Sequence, residues 1–375
     1  MGKFGKKHVI DINPLNYQIC LSGLGGIGKT TLAKEVCEKL VGEDGYIHLN
    51  IGREGGVSAI QNIVSETIED WSKLTEVVDD IVENKETDYP NLKVVIWDSL
   101  DELIRLGEAE TIRLENKKNA DKKVDSILQC RGGFGKGQDF CINMILDQMW
   151  QLKNVGVNSF IIAHTKRSDI IDPVSQETYS QLTADAQQRY FNAVRNKMDV
   201  IAVGYIDREI SKENTGRKNI VSKQDVIINK VASETRVIAF RDDSYSIDSK
   251  SRFANIVDKI PFDSDAFINA LTDAIKAEAE RGGQSMKDLE KEQKKRDKEQ
   301  EKRTTENSAK ARAKKAEEEL EEQRPEVLSQ ITSLFKSATA EQKEAAKKAL
   351  NDGGFAKFSD PDVPVSLLKE IINLF

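Results

Sequence analysis

The chain has 375 residues, of which 32% are charged, and its formal net charge at pH 7 is −7. That length allows one large α/β domain and a smaller module, and the negative net charge excludes a protein that binds nucleic acid over its whole surface. No stretch reaches the roughly 20 consecutive apolar residues of a membrane helix, and the amino-terminal residues lack the apolar run of a signal peptide. We therefore expect a cytoplasmic protein with no membrane partner.

The first motif along the chain is GLGGIGKTTLA, residues 23–33, which lies between an apolar run and a helix-like stretch. It satisfies GxxxxGK[ST] in the strand-to-helix context that a phosphate-binding loop requires. Glycines let backbone N–H groups converge on phosphate oxygens, and the helix N-terminus favours the same anion. We expect Lys29 to neutralise the β and γ phosphates of ATP, and the Thr30 hydroxyl to bind Mg²⁺. The other predicted nucleotide contacts are Gly23, Gly25, Gly26, Gly28 and Thr31.

Apolar, strand-like runs recur from Asn16 to about Phe240, with helix-like segments between them. The first runs are apolar almost throughout, which is typical of a parallel sheet buried on both faces. The last two runs, DVIINKV and TRVIAF, are closer together, and this spacing is compatible with an antiparallel hairpin between them. The pattern predicts an α/β fold, a doubly wound P-loop core with a mainly parallel sheet.

Carboxylates follow two of these runs. Asp98 directly follows LKVVIW and fits a Walker B element, whose carboxylate completes the Mg²⁺ shell. Three further carboxylates compete to orient the attacking water, namely Glu54 in LNIGREGG, and Asp101 and Glu102 just after Asp98. The first turn of a helix favours acidic residues through its dipole, and this reading suits Asp101 and Glu102. Glu54 lies in a glycine-rich loop about one βα unit beyond Lys29, so it is either the catalytic carboxylate or a solvated loop residue.

His164 ends the run NSFIIAH. Ligand contacts in a parallel sheet collect at the carboxyl ends of the strands. If the strand of His164 neighbours the Walker B strand, His164 lies near the γ-phosphate and is a candidate sensor. The alternative is a strand-end histidine that makes only a local hydrogen bond.

The composition changes sharply after Ala277, where charges are nearly balanced and apolar residues almost absent. Such a segment has no core to bury and predicts a solvated helix or a flexible tether. Apolar periodicity returns from Pro325, with a Thr339–Gln342 capping box. The predicted domains are therefore an ATPase core at 1–265, a charged tether at 276–324 and a small helical module at 325–375.

The segments GLGGIGKTT, VVIWDSLDEL and FIIAHTKR, in that order, resemble the RecA-like core. They are more closely similar to the phage RecA-like ATPases proposed as single-strand annealing recombinases, the fourth of the Sak groups. The resemblance covers roughly Asn16 to Pro261. In RecA-like proteins the catalytic carboxylate follows the second strand, which favours Glu54 over Asp101, and the strand-end sensor falls on His164. A phage-encoded member would act in the host cell cytoplasm.

The same resemblance implies assembly into a homo-oligomer, either a ring or a filament, in which subunits associate head to tail. Basic residues of one subunit then reach the ATP of its neighbour. In this sequence Lys250 and Arg252, in SIDSKSRF, lie at the corresponding place. The alternative is that both are ordinary surface charges.

Single-stranded DNA is held by cations on its phosphates and by aromatic rings that stack on its bases. Phe134, in the glycine-rich segment RGGFGKG, is a candidate for stacking, whereas Tyr190 and Phe191 are more typical of a core. The candidate cations are Arg131, Lys136, Lys166, Arg167 and Arg189.

These features predict an ATPase that binds single-stranded DNA and promotes annealing or strand pairing in phage recombination. The first alternative is a helicase loader or other replication assembly factor, in which ATP drives a protein contact. The second is an ATP-gated scaffold with negligible hydrolysis. We expect the carboxyl-terminal module to dock onto the core or onto a partner such as a single-strand binding or replication protein, and the scaffold would assemble through the tether and this module.

Overall fold

The computed structural model describes residues 10–53, 55–119, 121–171, 174–218, 225–241, 249–283 and 285–375. The chain divides into two compact units, Met1–Thr305 and Glu306–Phe375. None of the helices in the described ranges is long and apolar enough to cross a membrane.

The first unit is built on a ten-stranded sheet with helices between its strands. The strands are β1 Ile19–Gly23, β2 Tyr46–Ile51, β3 Ser65–Ile68, β4 Val94–Asp98, β5 Asn158–Ile171, β6 Thr178–Ala184, β7 Val200–Lys218, β8 Asp225–Ala239, β9 Lys250–Ser251 and β10 Lys259–Pro261. The helices are α1 Lys29–Val41, α2 Trp71–Glu83, α3 Leu100–Lys118, α4 Lys136–Asn154, α5 Gln188–Arg195, α6 Ser264–Arg281 and α7 Met286–Glu322, which continues into the second unit.

The strand order is β10-β8-β7-β1-β5-β4-β2-β3, with β6 paired to β5 and β9 to β7. Strands β7, β1, β5, β4, β2 and β3 run parallel to one another, β8 is antiparallel to β7, and β10 is antiparallel to β8. β1 and β4 are buried along their whole length because helices cover both faces of a parallel sheet. The predicted α/β class with a mainly parallel sheet is confirmed.

The predicted hairpin between the last two apolar runs is wrong. DVIINKV and all but the last residue of TRVIAF lie on β8, which pairs antiparallel with β7 from Val203 to Lys218. The polar residues between the two runs stay extended because β7 supplies their backbone hydrogen bonds. The hairpin is therefore formed by β7 and β8.

Two hairpins extend beyond the carboxyl edge of the parallel sheet, one on each side of β1. β5 pairs with β1 up to His164 and then with β6 from Thr165 onward. β7 pairs with β1 up to Gly204 and continues alongside β8. The strand that leads into the phosphate-binding motif is thus flanked by the bases of both hairpins.

The first unit continues beyond the predicted core boundary at residue 265. Helix α6 buries Phe267, Leu271 and Ile275 in the same core cluster as β1 and α1. Leu289, in the first turn of α7, is also buried. These side chains give the unit apolar area that the charge pattern of the segment does not reveal. Whether residues 1–265 fold independently stays a prediction.

The second unit contains three helices after α7, namely α8 Arg324–Ser337, α9 Ala340–Asp352 and α10 Val365–Ile372. Their core includes Ile331, Leu350 and Leu368. The predicted capping box begins α9, where the Thr339 hydroxyl accepts a hydrogen bond from the Gln342 N–H at 3.3 Å. The sequence pattern therefore gave the correct helical character for this region.

Candidate nucleotide-binding site

The loop between β1 and α1 has the backbone that the glycine pattern predicts. Gly28, directly before α1, has a φ of 108°, a backbone conformation that residues with a Cβ rarely adopt. A Cβ on Gly23 would lie only 2.8 Å from the carbonyl oxygen of Gly204 on β7. Gly25 and Gly26 have open space where a Cβ would stand, and Thr31 is exposed in the first turn of α1. The loop is free to approach a phosphate chain closely.

Lys29 is held inside this loop, with only 6% of its surface exposed. Its Nζ donates to the carbonyl oxygens of Gly23 and Leu24, each at 3.0 Å. A buried ammonium needs such partners because desolvation of a charge is costly. These bonds keep the positive charge at the start of the phosphate-binding loop.

Thr30 and Asp98 meet although 68 residues separate them. The Thr30 hydroxyl donates to Asp98 Oδ2 at 2.6 Å, and Asp98 is the last residue of β4. Hydroxyl and carboxylate oxygens are the ligands that Mg²⁺ prefers, particularly beside substrate phosphates. The residues present therefore fit a Mg²⁺–nucleotide complex, held by Thr30, Asp98 and the backbone of the loop.

His48 on β2 is a member of this site that sequence reasoning missed. Its Nε2 lies 3.1 Å from Asp98 Oδ2, and its Nδ1 lies 3.0 Å from Ser65 Oγ. Burial raises the pKa of Asp98, but the hydrogen bonds to His48 and Thr30 and the charge of Lys29 outweigh burial and hold that pKa below its usual value. The available signal was a histidine at an inward position of the apolar strand YIHLNI.

His164 stands beside the phosphate-binding loop. It is paired in register with Gly23, and its strand β5 lies between β1 and the Walker B strand β4. Its backbone N–H donates to Asp101 Oδ2 at 3.0 Å, and its Nδ1 lies 3.0 Å from the same oxygen. The expectation that β5 lies next to β4 is confirmed, while the sensor role of His164 stays a prediction.

The two competing carboxylates on α3 already have partners. Asp101 binds His164. Glu102 accepts from Arg105 Nε at 3.0 Å and from the backbone N–H of Arg53 at 3.1 Å, and Arg105 chiefly holds the pKa of Glu102 below its usual value. Glu102 thus fixes the loop that follows β2. Glu54 belongs to that loop but lies outside the described residues.

Glu54→Gln is expected to bind ATP normally but to hydrolyse it about 10² to 10⁴ times more slowly, since a group that orients or deprotonates the attacking water contributes that much. Steady-state ATPase rates and nucleotide affinity measure the two quantities. Asp101→Asn is the comparison variant. Normal turnover by Glu54→Gln together with loss of turnover in Asp101→Asn would show that the wrong carboxylate was chosen.

Lys250 and Arg252 lie at the opposite edge of the sheet from the phosphate-binding loop. β9 pairs with Val200 and Ile201, at the amino end of β7. Lys250 Nζ donates to the carbonyl oxygens of Arg195 and Met198, each at 2.9 Å, at the end of α5. Burial and the nearby charges of Arg252 and Arg195 lower the pKa of Lys250. Lys250 is thus occupied within its own subunit.

Most of the predicted DNA-contacting cations contact other groups of the chain, and the Arg189 guanidinium occupies the space beside Gly135, next to Lys136. Lys166 lies 3.4 Å from Asp185, and Arg189 lies 2.7 Å from Asp139. The other contacts are Arg167 Nη2 to Ser180 Oγ at 3.1 Å and the Arg131 guanidinium over the Phe140 ring at 3.9 Å. Lys136 begins α4. Tyr190 and Phe191 are core residues, as predicted.

Phe262 closes the site from the side of β7. Its ring lies 3.6 Å from where a Cβ of Gly28 would stand, and a Cβ on Gly204 would be 2.7 Å from it. Arg236 Nη1 donates to the Ile27 carbonyl oxygen at 3.4 Å. These contacts support the loop from the strands beside β1.

The fold and this site define a P-loop nucleotide-binding protein with a mainly parallel α/β core. The chain belongs to the AAA domain family, whose model matches residues 15–253. Membership implies that the site binds a nucleotide, usually together with Mg²⁺.

Curated protein sequences gave no match to this chain. Among solved structures, the chain is similar to the flagellar accessory protein FlaH from Methanocaldococcus jannaschii, with 7% identity and a TM-score of 0.30 over 63% of this chain and 81% of that one. It is also similar to an ATPase from the type III secretion system of pathogenic bacteria, with 15% identity and a TM-score of 0.30 over 52% of this chain and 57% of that one.

Proposed function

We propose that the chain is an ATPase that binds single-stranded DNA as an ATP-dependent homo-oligomer and promotes DNA annealing in phage recombination. The observation that carries the ATPase part is the 2.6 Å contact between Thr30 and Asp98 beside the buried Lys29. This arrangement joins the phosphate-binding loop to the Walker B carboxylate. The annealing part is supported by the resemblance of the motifs to the phage annealing ATPases.

The residues of the site divide the work of phosphoryl transfer. The backbone N–H groups of the loop bind the phosphate oxygens, and the Lys29 ammonium moves from the loop carbonyls to the β and γ phosphates. Mg²⁺, when bound, offsets the charge that develops on the phosphates. Glu54 orients the attacking water, and His164 responds to the terminal phosphate through its bond to Asp101.

Support for DNA binding comes from the loop before α4. Phe134 is 97% exposed and has a φ of 53°, which is unusual for a bulky residue. Glycines on both sides hold the ring away from the core, and Lys136 follows two residues later. An exposed aromatic ring beside a cation provides a base-stacking platform and a phosphate contact together.

The assembly-factor alternative is supported by a different observation. Arg189 and Lys166 each contact an acidic side chain of the same chain. Such pairs lower the local positive potential that attracts a polyanion. In that case Phe134 is a protein contact, and ATP governs when it engages.

Phe134→Ala is expected to weaken single-stranded DNA binding by about 1 to 3 kcal/mol, the contribution of one stacked base. ATP hydrolysis without DNA should be unchanged. Trp150→Ala is the matched control, because Trp150 is a 61% exposed aromatic near the other end of α4. Fluorescence anisotropy with a labelled oligonucleotide and ATP measures the affinity.

The ATPase rate with and without single-stranded DNA separates the three functions. Stimulation by DNA in the wild type, reduced in Phe134→Ala but not in Trp150→Ala, supports the proposal. Stimulation only by a replication protein supports the assembly factor. ATP binding without turnover under every condition supports the scaffold.

We assign the second unit to contacts with a single-strand binding or replication protein. Its helices α8 to α10 have their own apolar core, including Val327, Ala346 and Ile371. A small module with its own core, joined to the ATPase unit through a helix rich in charge, can bind a partner while the ATPase unit binds DNA.

A further inference from the structure

Three polar side chains form a hydrogen-bonded row across three adjacent strands. His48 on β2 is paired in register with Ser65 on β3, and Asn50 on β2 is paired with Asp98 on β4. The imidazole bridges the two neighbours, with Nδ1 3.0 Å from Ser65 Oγ and Nε2 3.1 Å from Asp98 Oδ2. His48 is 0% exposed.

The chemistry of the row fixes the orientation of the ring. An ionised carboxylate only accepts hydrogen bonds, so His48 Nε2 carries the hydrogen that faces Asp98. In the neutral imidazole, Nδ1 then accepts from the Ser65 hydroxyl. Asp98 Oδ2 consequently receives two donors, His48 from one side and Thr30 at 2.6 Å from the other.

Packing alone does not account for a histidine at this position. The other buried residues of β2, namely Tyr46 on the same face as His48 and Leu49 and Ile51 on the opposite face, are large and apolar or aromatic. An aliphatic residue in place of His48 would satisfy the core without the cost of burying a polar ring. The two hydrogen bonds offset that cost, and one of them ends on the Walker B carboxylate.

We propose that His48 is a positioning residue for Asp98: it fixes the carboxylate in the orientation that lets Asp98 and Thr30 hold Mg²⁺ together. The proposal rests on nucleotide binding at this site. Groups that hydrogen-bond to a metal ligand typically change metal affinity by about 10-fold to 100-fold when removed. His48 acts through Asp98 and touches neither the nucleotide nor the metal.

The test measures metal affinity directly and does not depend on turnover. Mn²⁺ is titrated into the full chain with a non-hydrolysable ATP analogue, and bound Mn²⁺ is followed by electron paramagnetic resonance. His48→Leu is expected to weaken Mn²⁺ binding about 10-fold to 100-fold. His48→Gln, whose amide N–H can reach Asp98, should recover most of the loss. Affinity for the analogue without metal should be the same in all variants.

Ser65→Ala guards the test if His48→Leu does not fold, because Ser65 is exposed and its loss leaves no cavity in the core. It should shift the Mn²⁺ midpoint in the same direction, toward the lower end of that range. A wild-type midpoint in Ser65→Ala and in any folded His48→Leu overturns the proposal but leaves the proposed function intact. The proposal is also overturned if His48→Gln weakens Mn²⁺ binding as much as His48→Leu does. If the wild type binds no ATP analogue, both fail.

Discussion

Lys29→Ala is expected to abolish ATP hydrolysis. Lys29, in the first turn of α1, supplies a positive charge for the phosphates of ATP. In the structure its Nζ donates hydrogen bonds to the carbonyl oxygens of Gly23 and Leu24 at 3.0 Å. One preorganised donor at a developing charge contributes about 10² to 10³ in rate, and Lys29 also serves in binding the nucleotide. The loss of rate and the loss of nucleotide binding both reduce ATP hydrolysis, so the activity should fall to background in a phosphate-release assay.

Lys34→Ala is the matched control. Lys34 lies on the same helix and forms an ion pair with Glu38 at 2.9 Å, and such a pair one helical turn apart contributes only a few tenths of a kcal/mol. Both variants should keep the wild-type melting temperature within a few degrees. Wild-type turnover by a folded Lys29→Ala protein would refute the assignment of the phosphate-binding loop.

Arg252→Ala is expected to reduce ATP hydrolysis by about 10³ to 10⁵, the range for an arginine that stabilises charge on a transferred phosphoryl group. The arginine is 58% exposed, and its Nε lies 3.1 Å from Asp199, whose side chain is 18% exposed. It is level with Asp199, five residues from Gly204 along β7, or about 16 Å. At that distance we do not expect Arg252 to reach the nucleotide of its own subunit, and the hypothesis is that it acts on a neighbour's in a head-to-tail assembly.

Mixing decides whether this arginine acts in trans. Arg252→Ala subunits retain the phosphate-binding loop, and Lys29→Ala subunits retain Arg252. Mixed assemblies should regain activity where a subunit with Arg252 faces one with Lys29. Arg241→Ala, which removes another exposed arginine paired with an aspartate, should need no rescue. If Arg252→Ala alone hydrolyses ATP normally, the trans mechanism is wrong and Arg252 is a surface charge.

Local sequence patterns predicted the phosphate-binding loop and the strand that ends at Asp98, because each of these is encoded within a few residues. The Gly28–Thr30 spacing specifies a loop, and the apolar run before Asp98 specifies where a buried strand ends. The parallel arrangement of those strands then brings Thr30 and Asp98 together. The mainly parallel α/β class was also predictable from local patterns, because buried parallel strands are apolar almost throughout.

Features that depend on distant pairing were not predictable in this way. The partners of Lys250 Nζ are carbonyl groups more than 50 residues away, so no local pattern shows that Lys250 binds within its own subunit. The role of His48 likewise depends on its contact with Asp98, which is 50 residues further along the chain, so no local pattern predicts it. In the sequence β8 is divided into two apolar runs by polar residues. Only the pairing with β7 shows that these residues belong to one continuous strand.

The contact of Phe262 with Gly204 has an evolutionary consequence. The ring fills the space that a side chain at position 204 would need, because a Cβ there would lie 2.7 Å from it. The same ring rests against Gly28 in the phosphate-binding loop. Alanine at position 204 would require the ring of Phe262 to move or to be replaced by a smaller side chain, and either change would alter the packing beside Gly28. We therefore expect the residues at positions 204 and 262 to change together among related sequences.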